Sequence, residues 1–300
     1  MSEAFLAIVN PAAGGGRWRK LIGPALDRLR SGGIGVELVE TRHPGHASQI
    51  AHDAYAQGYR KFIAVGGDGT SYEIVNGLFP LQNSRERATL AFLPLGTGNS
   101  FLREFTDRGV EHALEALLAR RSQPCDVMRL RHSAGVIHFI NLLSMGFAAD
   151  VAALRTRRFR TWGELGYQSS IFVSLARLRR RPFPLRVDEH GEIDRRPCLF
   201  LTFNNSKFTG GSMMIAPKAE VNDGLIEYVR WGPIGRIGLI RNLPTLYDGT
   251  HIQHPLAERQ AAKRIDFCLD APVDVMVDGE VLTLHCQTLD VLPSALNVVV

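Results

Sequence analysis

The chain has 300 residues, 45% of them hydrophobic, and a net charge of +5, which suits one large or two modest folded domains. Its four cysteines are scattered without a CxxC pair or other metal-ligand spacing, which argues against a zinc site or a disulfide framework. The longest weakly polar stretch, residues 136–149, is too short to span a bilayer, and no signal peptide is visible, so we expect reduced, buried thiols in a cytoplasmic protein.

The first part of the chain alternates between strand and helix patterns. Residues 4–9 form an apolar run typical of a buried strand, and residues 18–30 have apolar side chains at helical spacing. Residues 34–40 and 47–56 repeat the order of strand then helix, and residues 110–121 form another helix pattern. This alternation predicts a parallel sheet with helices packed on it.

A glycine-rich turn follows the next predicted strand, residues 61–65. The turn is Gly66-Gly67-Asp68-Gly69-Thr70, and it opens a helical stretch over residues 71–78. Glycines let backbone N–H groups approach an anion, and the helix N-terminus adds a positive partial charge, so this order of elements is typical of a phosphate cradle. The carboxylate of Asp68 would repel a polyphosphate unless Mg²⁺ lay between them. The alternative is a plain Gly-Asp-Gly turn between a strand and a helix.

Two further turns follow predicted strands in the same way. One is Asn10-Pro11-Ala12-Ala13-Gly14, and the other is Gly96-Thr97-Gly98-Asn99, which follows residues 90–93. Such turns meet on the carboxyl edge of a parallel sheet, where open α/β sheets bind ligands. The sequence therefore predicts one ligand site built from three turns.

The pattern changes near residue 127, where we place a boundary between domains 1–127 and 128–300. Short strand candidates separated by turn residues follow, and they predict an antiparallel sandwich. These candidates are residues 125–131, 136–143, 185–188, 199–203, 225–229, 265–269, 273–277 and 281–286. Helix patterns at residues 152–181 and 234–246 interrupt them, and residues 294–300 are a last strand or a tail.

Two acidic turns in this second part are candidates for chemistry. Asn222-Asp223-Gly224 is a turn by composition, and Asp278-Gly279-Glu280 lies between two strand patterns. Asp-Gly is also a common signal for a β-hairpin, in which case Glu280 would be an ordinary exposed residue. Spacing alone favours the hairpin.

Taken together in this order, these motifs resemble the catalytic domain of the diacylglycerol kinases, in the bacterial lipid kinase branch that is related to the sphingosine and ceramide kinases. The resemblance covers nearly the whole chain. It implies an α/β fold with an N-terminal nucleotide-binding domain on a parallel sheet, a C-terminal β-rich sandwich domain, and an active site between them. It also implies an ATP- and Mg²⁺-dependent transfer of the γ-phosphoryl group to a hydroxyl of a diacylglycerol-like or sphingoid lipid.

The resemblance assigns roles to individual residues. It implies Glu280 as the general base, Asp278 as an auxiliary carboxylate and Asp68 as the residue that holds the metal–nucleotide network. It implies a structural Mg²⁺ on the Asp223 carboxylate, with the main-chain carbonyls of Glu220 and Leu225. The implied nucleotide-binding residues are Asn10, Pro11, Ala12, Ala13, Gly14, Thr41, Gly66, Gly67, Asp68, Gly69, Thr70, Ser71, Tyr72 and Thr97.

The chain departs from the family pattern at Ser100, where many bacterial members have aspartate after the asparagine of the third turn. The departure weakens the assignment of diacylglycerol as the acceptor. Two other functions stay open. One is a kinase of a soluble nucleotide, such as NAD, and the other is a non-catalytic, nucleotide-dependent module that binds membranes.

Basic residues cluster in the Arg155 to Arg181 region around apolar residues at helical spacing. A helix of this kind can lie on an anionic membrane, and we expect the lipid substrate to be met at the inner membrane face. The alternative is a helix that packs on its own domain and exposes its arginines to solvent. Nucleic acid is not an expected partner because no nucleic-acid motif is present, and the sequence leaves homodimerisation open.

Overall fold

The structure is a computed structural model that describes residues 4–13, 18–82, 86–94, 99–158, 178–189 and 191–300, with the backbone alone for 18–21, 148 and 155–158. The chain divides into two compact units. The first consists of Met1–Val127, His138–Ile140 and Leu292–Val300, and the second of Met128–Ile137 and Asn141–Val291. The expected boundary between residues 127 and 128 separates domains that would fold independently, and it stays a prediction.

The first unit is built on a parallel sheet. Its strands are β1 (Phe5–Val9), β2 (Val36–Glu40), β3 (Lys61–Gly66) and β4 (Thr89–Pro94), in the order β2-β1-β3-β4. Its helices are α1 (Trp18–Ser31), α2 (His46–Ala56), α3 (Asp68–Leu78) and α4 (Val110–Leu118), with a short 3-10 turn at Leu102–Glu104. All three strand pairs are parallel, as the alternating pattern predicts.

Helices cover both faces of this sheet. Phe5, Ala7 and Val9 of β1 share a buried cluster with residues of α1 and α4, including Leu29 and Leu114. Successive side chains of a strand point to opposite faces, and α2 and α3 contact β1 and β3 without contributing any described residue to that cluster. Strands enclosed on both faces are apolar throughout, which explains the five buried residues in β1.

The strand order fixes where a ligand can bind. The chain moves from β1 outward to β2 and then returns across β1 to β3, so the order reverses between β1 and β3. Ligands of open α/β sheets bind at such a switch point, beyond the carboxyl ends of the strands. The residues that follow β1 and β3 are Asn10 and Gly67.

Two later segments of the chain complete the first unit. The Asn76 side chain of α3 donates to the His138 carbonyl at 2.8 Å and accepts from the His138 N–H at 2.9 Å. The His138 ring also stacks on Phe79, with 4.9 Å between the ring centroids. The end of the chain adds a strand, because Asn297 pairs in parallel with Thr89 of β4.

The second unit is dominated by antiparallel strands. Six of them form a sheet in the order β13-β12-β9-β7-β15-β16, and every neighbouring pair is antiparallel. These strands are β7 (Leu142–Gly146), β9 (Phe200–Asn204), β12 (Ile226–Trp231), β13 (Ala257–Ala262), β15 (Val273–Val277) and β16 (Glu280–Leu284). The remaining strands are β5 (Ser122–His132), β6 (Gly135–Phe139), β8 (Leu185–Val187), β10 (Phe208–Thr209), β11 (Met213–Met214), β14 (Arg264–Phe267) and β17 (Cys286–Val299). The predicted fold class, α/β followed by a β-rich sandwich, is confirmed.

One face of the six-stranded sheet packs on helices. Trp231 and Phe200, whose rings are in contact, belong to a buried cluster that includes Leu239 and Leu246. Those two residues belong to α6 (Arg236–Asn242) and α7 (Thr245–Asp248), while α5 (Phe147–Arg158) follows β7. The cluster fixes α6 and α7 against the sheet.

Several predicted boundaries were wrong, each for a local reason. The strand expected over residues 136–143 is two strands, because Asn141 leaves the ladder and its carbonyl accepts from the Asn205 N–H at 2.8 Å. The helix expected over 152–181 begins earlier, at Phe147, and residues 178–180 are not helical. The proline at 182 disfavours helical backbone in the residue before it, and the Arg181 carbonyl accepts from the Cys198 N–H. Pro244 separates α6 from α7 within the expected helix at 234–246.

The composition raised two questions that the structure addresses, the state of the cysteines and the presence of a membrane-spanning helix. All four cysteines are unpaired thiols, of which Cys125, Cys198 and Cys286 are buried and Cys268 is half-buried. Burial raises the pKa of the Cys198 and Cys286 thiols to about 12. Within the described residues, every helix is too short or too polar to cross a membrane.

A pair of helical glycines gives a test of the packing of α2 on α3. A Cβ at Gly77 in α3 would collide with the Ser48 carbonyl of α2 and come within 3.0 Å of the Ala51 Cβ. Gly77→Ala should therefore lower the free energy of unfolding by about 1–3 kcal/mol. A Cβ at Gly23 in α1 meets nothing within 4 Å apart from its chain neighbours. Pro24 follows it in the helix and disfavours helical backbone in a residue with a Cβ, which opposes the helix propensity gained with alanine, so Gly23→Ala should change that free energy by less than about 1 kcal/mol.

Urea unfolding followed by circular dichroism measures both changes. Equal stability of Gly77→Ala and the wild type would mean that α2 and α3 do not approach as closely as described.

Candidate functional site

Gly66, the last residue of β3, has little room for a side chain. A Cβ on Gly66 would strike the Thr70 side chain, and the Asn10 Cβ would lie 3.5 Å away. Gly67 caps α3 in an extended conformation, and its carbonyl accepts from the Thr70 N–H at 3.0 Å. The first turn of α3 thus folds back over Gly66, next to the residue that follows β1.

Thr70 gives this turn an unused polar group. Its side chain is buried, and its hydroxyl oxygen has no hydrogen-bond partner among the described residues. Buried hydroxyls are nearly always hydrogen-bonded, so an orphaned one beside a glycine turn fits a site that an external oxygen-rich group completes. Ser71 differs, because its hydroxyl donates to the Asp68 carbonyl at 2.8 Å.

Asp68 connects the turn after β3 with the turn after β4. Its carboxylate accepts from the Ser100 N–H at 2.9 Å and from the Phe101 N–H at 3.4 Å. Burial raises the pKa of Asp68, against the opposing effect of these two N–H groups and of the Ser100 hydroxyl, which lower it. The first residue of α3 therefore holds a partly buried carboxylate that a nearby cation would keep ionised.

The residues after β1 and β2 continue the same edge. The Asn10 side chain accepts from the Ala12 N–H at 3.0 Å and so closes the turn that follows β1. The Thr41 N–H donates to the Val9 carbonyl at 2.8 Å, which extends the pairing of β1 with β2 beyond the strands. Both turns are thus ordered by hydrogen bonds from their backbone N–H groups.

The side chain of Glu73, a residue of α3, caps the N-terminus of α2. Its two carboxylate oxygens accept from the Gly45 N–H at 2.8 Å and from the Ala47 N–H at 3.0 Å. This satisfies N–H groups that a helix start leaves unpaired and places a negative charge at the positive end of the helix dipole. An anionic ligand would meet repulsion at α2, so α3 offers the better helix end for a phosphate.

The structure brings most of the predicted nucleotide-binding residues to one edge. A recess in the first unit is lined by Gly66, Gly67, Asp68 and Ser71 from one turn, and by Pro94 and Asn99 from the next. Asn10, Thr41 and Tyr72 lie on or beside this edge. Gly14 and Thr97, which were also predicted to bind nucleotide, lie outside the described residues.

In the second unit, Asp278 and Gly279 form a two-residue hairpin turn. Both have positive φ, 45° and 89°, and Val277 pairs with Glu280 across the turn, as expected for a type I′ hairpin. The Asp278 side chain is 2% exposed and accepts from the Asn141 N–H at 3.1 Å and the Leu142 N–H at 2.9 Å. Asp278 therefore anchors the hairpin to the start of β7.

Glu280 is the first residue of β16, and its side chain is exposed. The preceding turn is fixed through Asp278, so the backbone that carries Glu280 is fixed as well. An exposed carboxylate on a rigid hairpin can accept a proton from a bound hydroxyl. The hairpin interpretation and the predicted role are thus compatible at this position.

The turn at Asp223 is a candidate magnesium site. The Asp223 carboxylate accepts from the Leu225 N–H at 2.9 Å, and Gly224 has a positive φ of 74°. Glu220 and Asp223 are exposed, while Leu225 is half-buried. No group of three His, Cys, Asp or Glu side chains in the described part of the chain could hold a metal. One carboxylate with main-chain carbonyls fits Mg²⁺, which takes oxygen ligands and keeps several waters.

Other residues organise these turns without having been predicted from the sequence. They are Glu73, Asn76 and Asn141. The buried Asp126 does the same for the last strand, because it accepts from the Ser294 N–H. The partners of Glu73 and Asp126 are 28 and 168 residues away. Only Asp126 could have been suspected from the local sequence. It is an aspartate within an apolar strand pattern, and charged residues are seldom buried without a partner.

The basic region from Arg155 to Arg181 is only partly described. Residues 159–177 lie outside the described residues, as do the side chains of 155–158. Arg181 pairs with Asp150 at 2.5 Å, while Arg179 and Arg180 are exposed. The predicted membrane contact of this region remains a prediction.

Comparison with known proteins identifies both parts of the chain. Residues 4–130 match the diacylglycerol kinase catalytic domain, and residues 141–300 match the YegS C-terminal NAD kinase beta sandwich-like domain. A diacylglycerol kinase of Mycobacterium tuberculosis (strain ATCC 25618 / H37Rv) is 27% identical over 97% of this chain and 93% of its own length. A diacylglycerol kinase of Bacillus subtilis (strain 168) is 25% identical over 91% of this chain and 88% of its own length.

A solved structure agrees on the fold. The crystal structure of a diacylglycerol kinase from Bacillus anthracis str. Sterne superimposes with a TM-score of 0.74 at 21% identity, covering 99% of this chain and 96% of that one. The resemblance drawn from the motifs is thus confirmed. The chain belongs to the family whose members join a diacylglycerol kinase catalytic domain to a YegS C-terminal NAD kinase beta sandwich-like domain.

Proposed function

We propose that this protein is an ATP-dependent lipid kinase that transfers the γ-phosphoryl group to a hydroxyl of a diacylglycerol-like or sphingoid lipid. The observation that carries the proposal is the edge at Gly66 to Thr70, where a glycine turn, an orphaned hydroxyl and a partly buried carboxylate meet. Kinase-family domains use a nucleotide in general, and the curated relatives are named for diacylglycerol.

In the proposal, different residues at the carboxyl edge of the parallel sheet contact different parts of the nucleotide. Gly66 leaves room for the Thr70 side chain, whose hydroxyl has no partner among the described residues and would donate to a phosphate oxygen. Mg²⁺, when bound with the nucleotide, supplies charge neutralisation of the phosphates. In the proposal, Asp68 faces that ion, and Asp223 with the carbonyls of Glu220 and Leu225 holds a structural one.

Glu280 is proposed to accept the proton of the lipid hydroxyl, and Asp278 supports it by fixing the hairpin. Phosphoryl transfer asks mainly for positioning and charge stabilisation, and a base guides the attacking hydroxyl. We propose that the reaction takes place at the cytoplasmic face of a membrane, where such lipids reside.

A phosphate-transfer assay tests the function. Radiolabelled ATP and Mg²⁺ are incubated with mixed micelles that contain diacylglycerol, monoacylglycerol, sphingosine, ceramide or phosphatidylglycerol, one lipid in each reaction, with NAD as a soluble acceptor. Label in one lipid is the expected result and names the acceptor. Label in NAD alone would replace the proposal with a soluble nucleotide kinase, and vesicle binding without any transfer would favour a non-catalytic module.

The Glu280→Gln variant tests the base. The amide cannot accept the hydroxyl proton, so turnover should fall by about 10²–10⁴-fold while ATP binding, measured by calorimetry, stays unchanged. Glu192 is an exposed glutamate of the same unit, and Glu192→Gln should leave turnover unchanged. Wild-type turnover in Glu280→Gln would remove Glu280 from its role.

The pH dependence of kcat/KM tests Asp68. Because burial raises the pKa of Asp68, the ionised form is lost as the pH falls through that raised pKa, at a higher pH than for an ordinary aspartate. Ser100→Ala removes a hydroxyl that lowers the pKa of Asp68, so the acidic limb of the profile should move to higher pH. Exposed Ser133 provides the control, Ser133→Ala, and an unmoved limb in Ser100→Ala would contradict the assignment.

Two variants of Asp278 distinguish its anchoring of the hairpin from a need for its negative charge in the reaction. Asp278→Ala leaves the Asn141 and Leu142 N–H groups without an acceptor, so the free energy of unfolding should fall by about 2 kcal/mol or more. Asp278→Asn keeps an oxygen acceptor and tolerates positive φ, so it should retain most of the stability and turnover. Loss of turnover in Asp278→Asn with stability intact would instead mean that the reaction needs the negative charge.

A further inference from the structure

Three large hydrophobic side chains close together in sequence in the second unit are exposed to solvent. Ile237, Ile240 and Tyr247 are 68%, 52% and 56% exposed, whereas the other large hydrophobics recorded as exposed lie between 36% and 43%. Single exposed apolar residues are normal, but a group of them marks an interaction site.

These side chains share one face of a helical segment whose opposite face is fixed in the core. The segment runs through α6 and α7, and the Leu246 N–H donates to the Leu243 carbonyl across Pro244, at 3.2 Å. Leu239 and Leu246 pack against Trp231 in the buried cluster described above. The outward face is therefore held in place by the inward one and needs no rearrangement to be presented.

Arginines surround the exposed face. Arg180, Arg236 and Ile237 line one open depression, and the Arg180 guanidinium would be 3.8 Å from a Cβ on Gly235. Arg236 and Arg241 flank the exposed isoleucines and are themselves exposed. Arg180 and Arg241 form no ion pair with any residue that the structure describes.

Acidic residues are nearly absent from this face. The sequence from Gly232 to Tyr247 contains no aspartate or glutamate. The next residue, Asp248, accepts from the Thr250 N–H at 2.9 Å and the Thr250 hydroxyl at 2.6 Å. Every charged side chain from Gly232 to Tyr247 is therefore basic, which favours an anionic partner.

We propose that the surface formed by Ile237, Ile240 and Tyr247 with Arg180, Arg236 and Arg241, hereafter the arginine–isoleucine surface, docks on an anionic phospholipid bilayer. Aliphatic side chains enter the boundary between headgroups and acyl chains, tyrosine lies at the headgroup level, and arginines bind lipid phosphates. A protein partner would have to supply an acidic rim around an apolar centre, whereas an anionic bilayer provides both everywhere on its surface.

The inference concerns how the chain reaches lipid and does not depend on which molecule accepts phosphate. Sedimentation with phosphatidylcholine vesicles, with or without phosphatidylglycerol, measures docking in the absence of ATP. The wild-type protein should bind the vesicles that contain phosphatidylglycerol, and added salt should weaken the binding. A failure of the kinase assay leaves this measurement unaffected, so the two proposals can fail separately.

Two double variants test the surface. Ile237→Ser with Ile240→Ser should weaken vesicle binding about tenfold or more, because both side chains lose their apolar insertion. Arg180→Gln with Arg241→Gln should weaken it about 25-fold, from roughly fivefold for each arginine near an anionic surface. Leu81→Ser with Val136→Ser, and Arg87→Gln with Arg131→Gln, change exposed residues elsewhere and should leave binding unchanged.

Three results would overturn the proposal. The first is unchanged vesicle binding in both test variants when circular dichroism reports the native fold. The second is equal wild-type binding to vesicles with and without phosphatidylglycerol. The third is a dimer, detected by light scattering, that the isoleucine variant dissociates, since the surface would then be an interface between two copies of the chain.

Discussion

Helix α3 can reach its neighbours only because side chains are missing at two glycines. Without a Cβ at Gly66 the first turn of α3 folds over the end of β3, and without one at Gly77 the helix packs against the backbone of α2. Three side chains of α3 then fix three other segments. Asp68 holds the turn after β4, Glu73 holds the start of α2, and Asn76 holds the segment at His138. The edge that we propose for the nucleotide therefore depends on how closely α3 can pack.

The two carboxylates at this edge, Glu73 and Asp68, differ in how well their negative charge is stabilised. Glu73 is satisfied by two N–H groups of a helix start, which is a stabilising position for a carboxylate. Asp68 also accepts N–H groups, yet burial outweighs them and raises its pKa. A carboxylate in that condition costs stability when it is ionised and alone, and a bound cation would offset the cost. Strain of this kind is typical of sites whose function needs a particular charge.

The sequence predicts elements that depend on local patterns and misses those that depend on distant contacts. The strands and turns of the parallel sheet were found because each has its own apolar run and glycine turn. Strand β13 was missed because its residues, Ala257–Ala262, are mostly exposed and have no apolar side chain larger than alanine. The anchoring role of Asp278 could not be predicted, since its partner Asn141 is 137 residues away. The site turns were thus predictable, whereas the contacts that hold them in place were not.

One hydrophobic cluster supports both the candidate base and the proposed membrane surface of the second unit. Leu142, whose N–H is bound by Asp278, and Met276, two residues before Asp278, pack in the same cluster as Leu239 and Leu246. The helices that present Ile237 and Ile240 rest on that cluster, and so does the hairpin that presents Glu280. Packed interiors transmit displacement because they contain little free volume. A bilayer that binds the arginine–isoleucine surface would therefore hold the Glu280 hairpin at a fixed depth through a rigid core, without any change of fold.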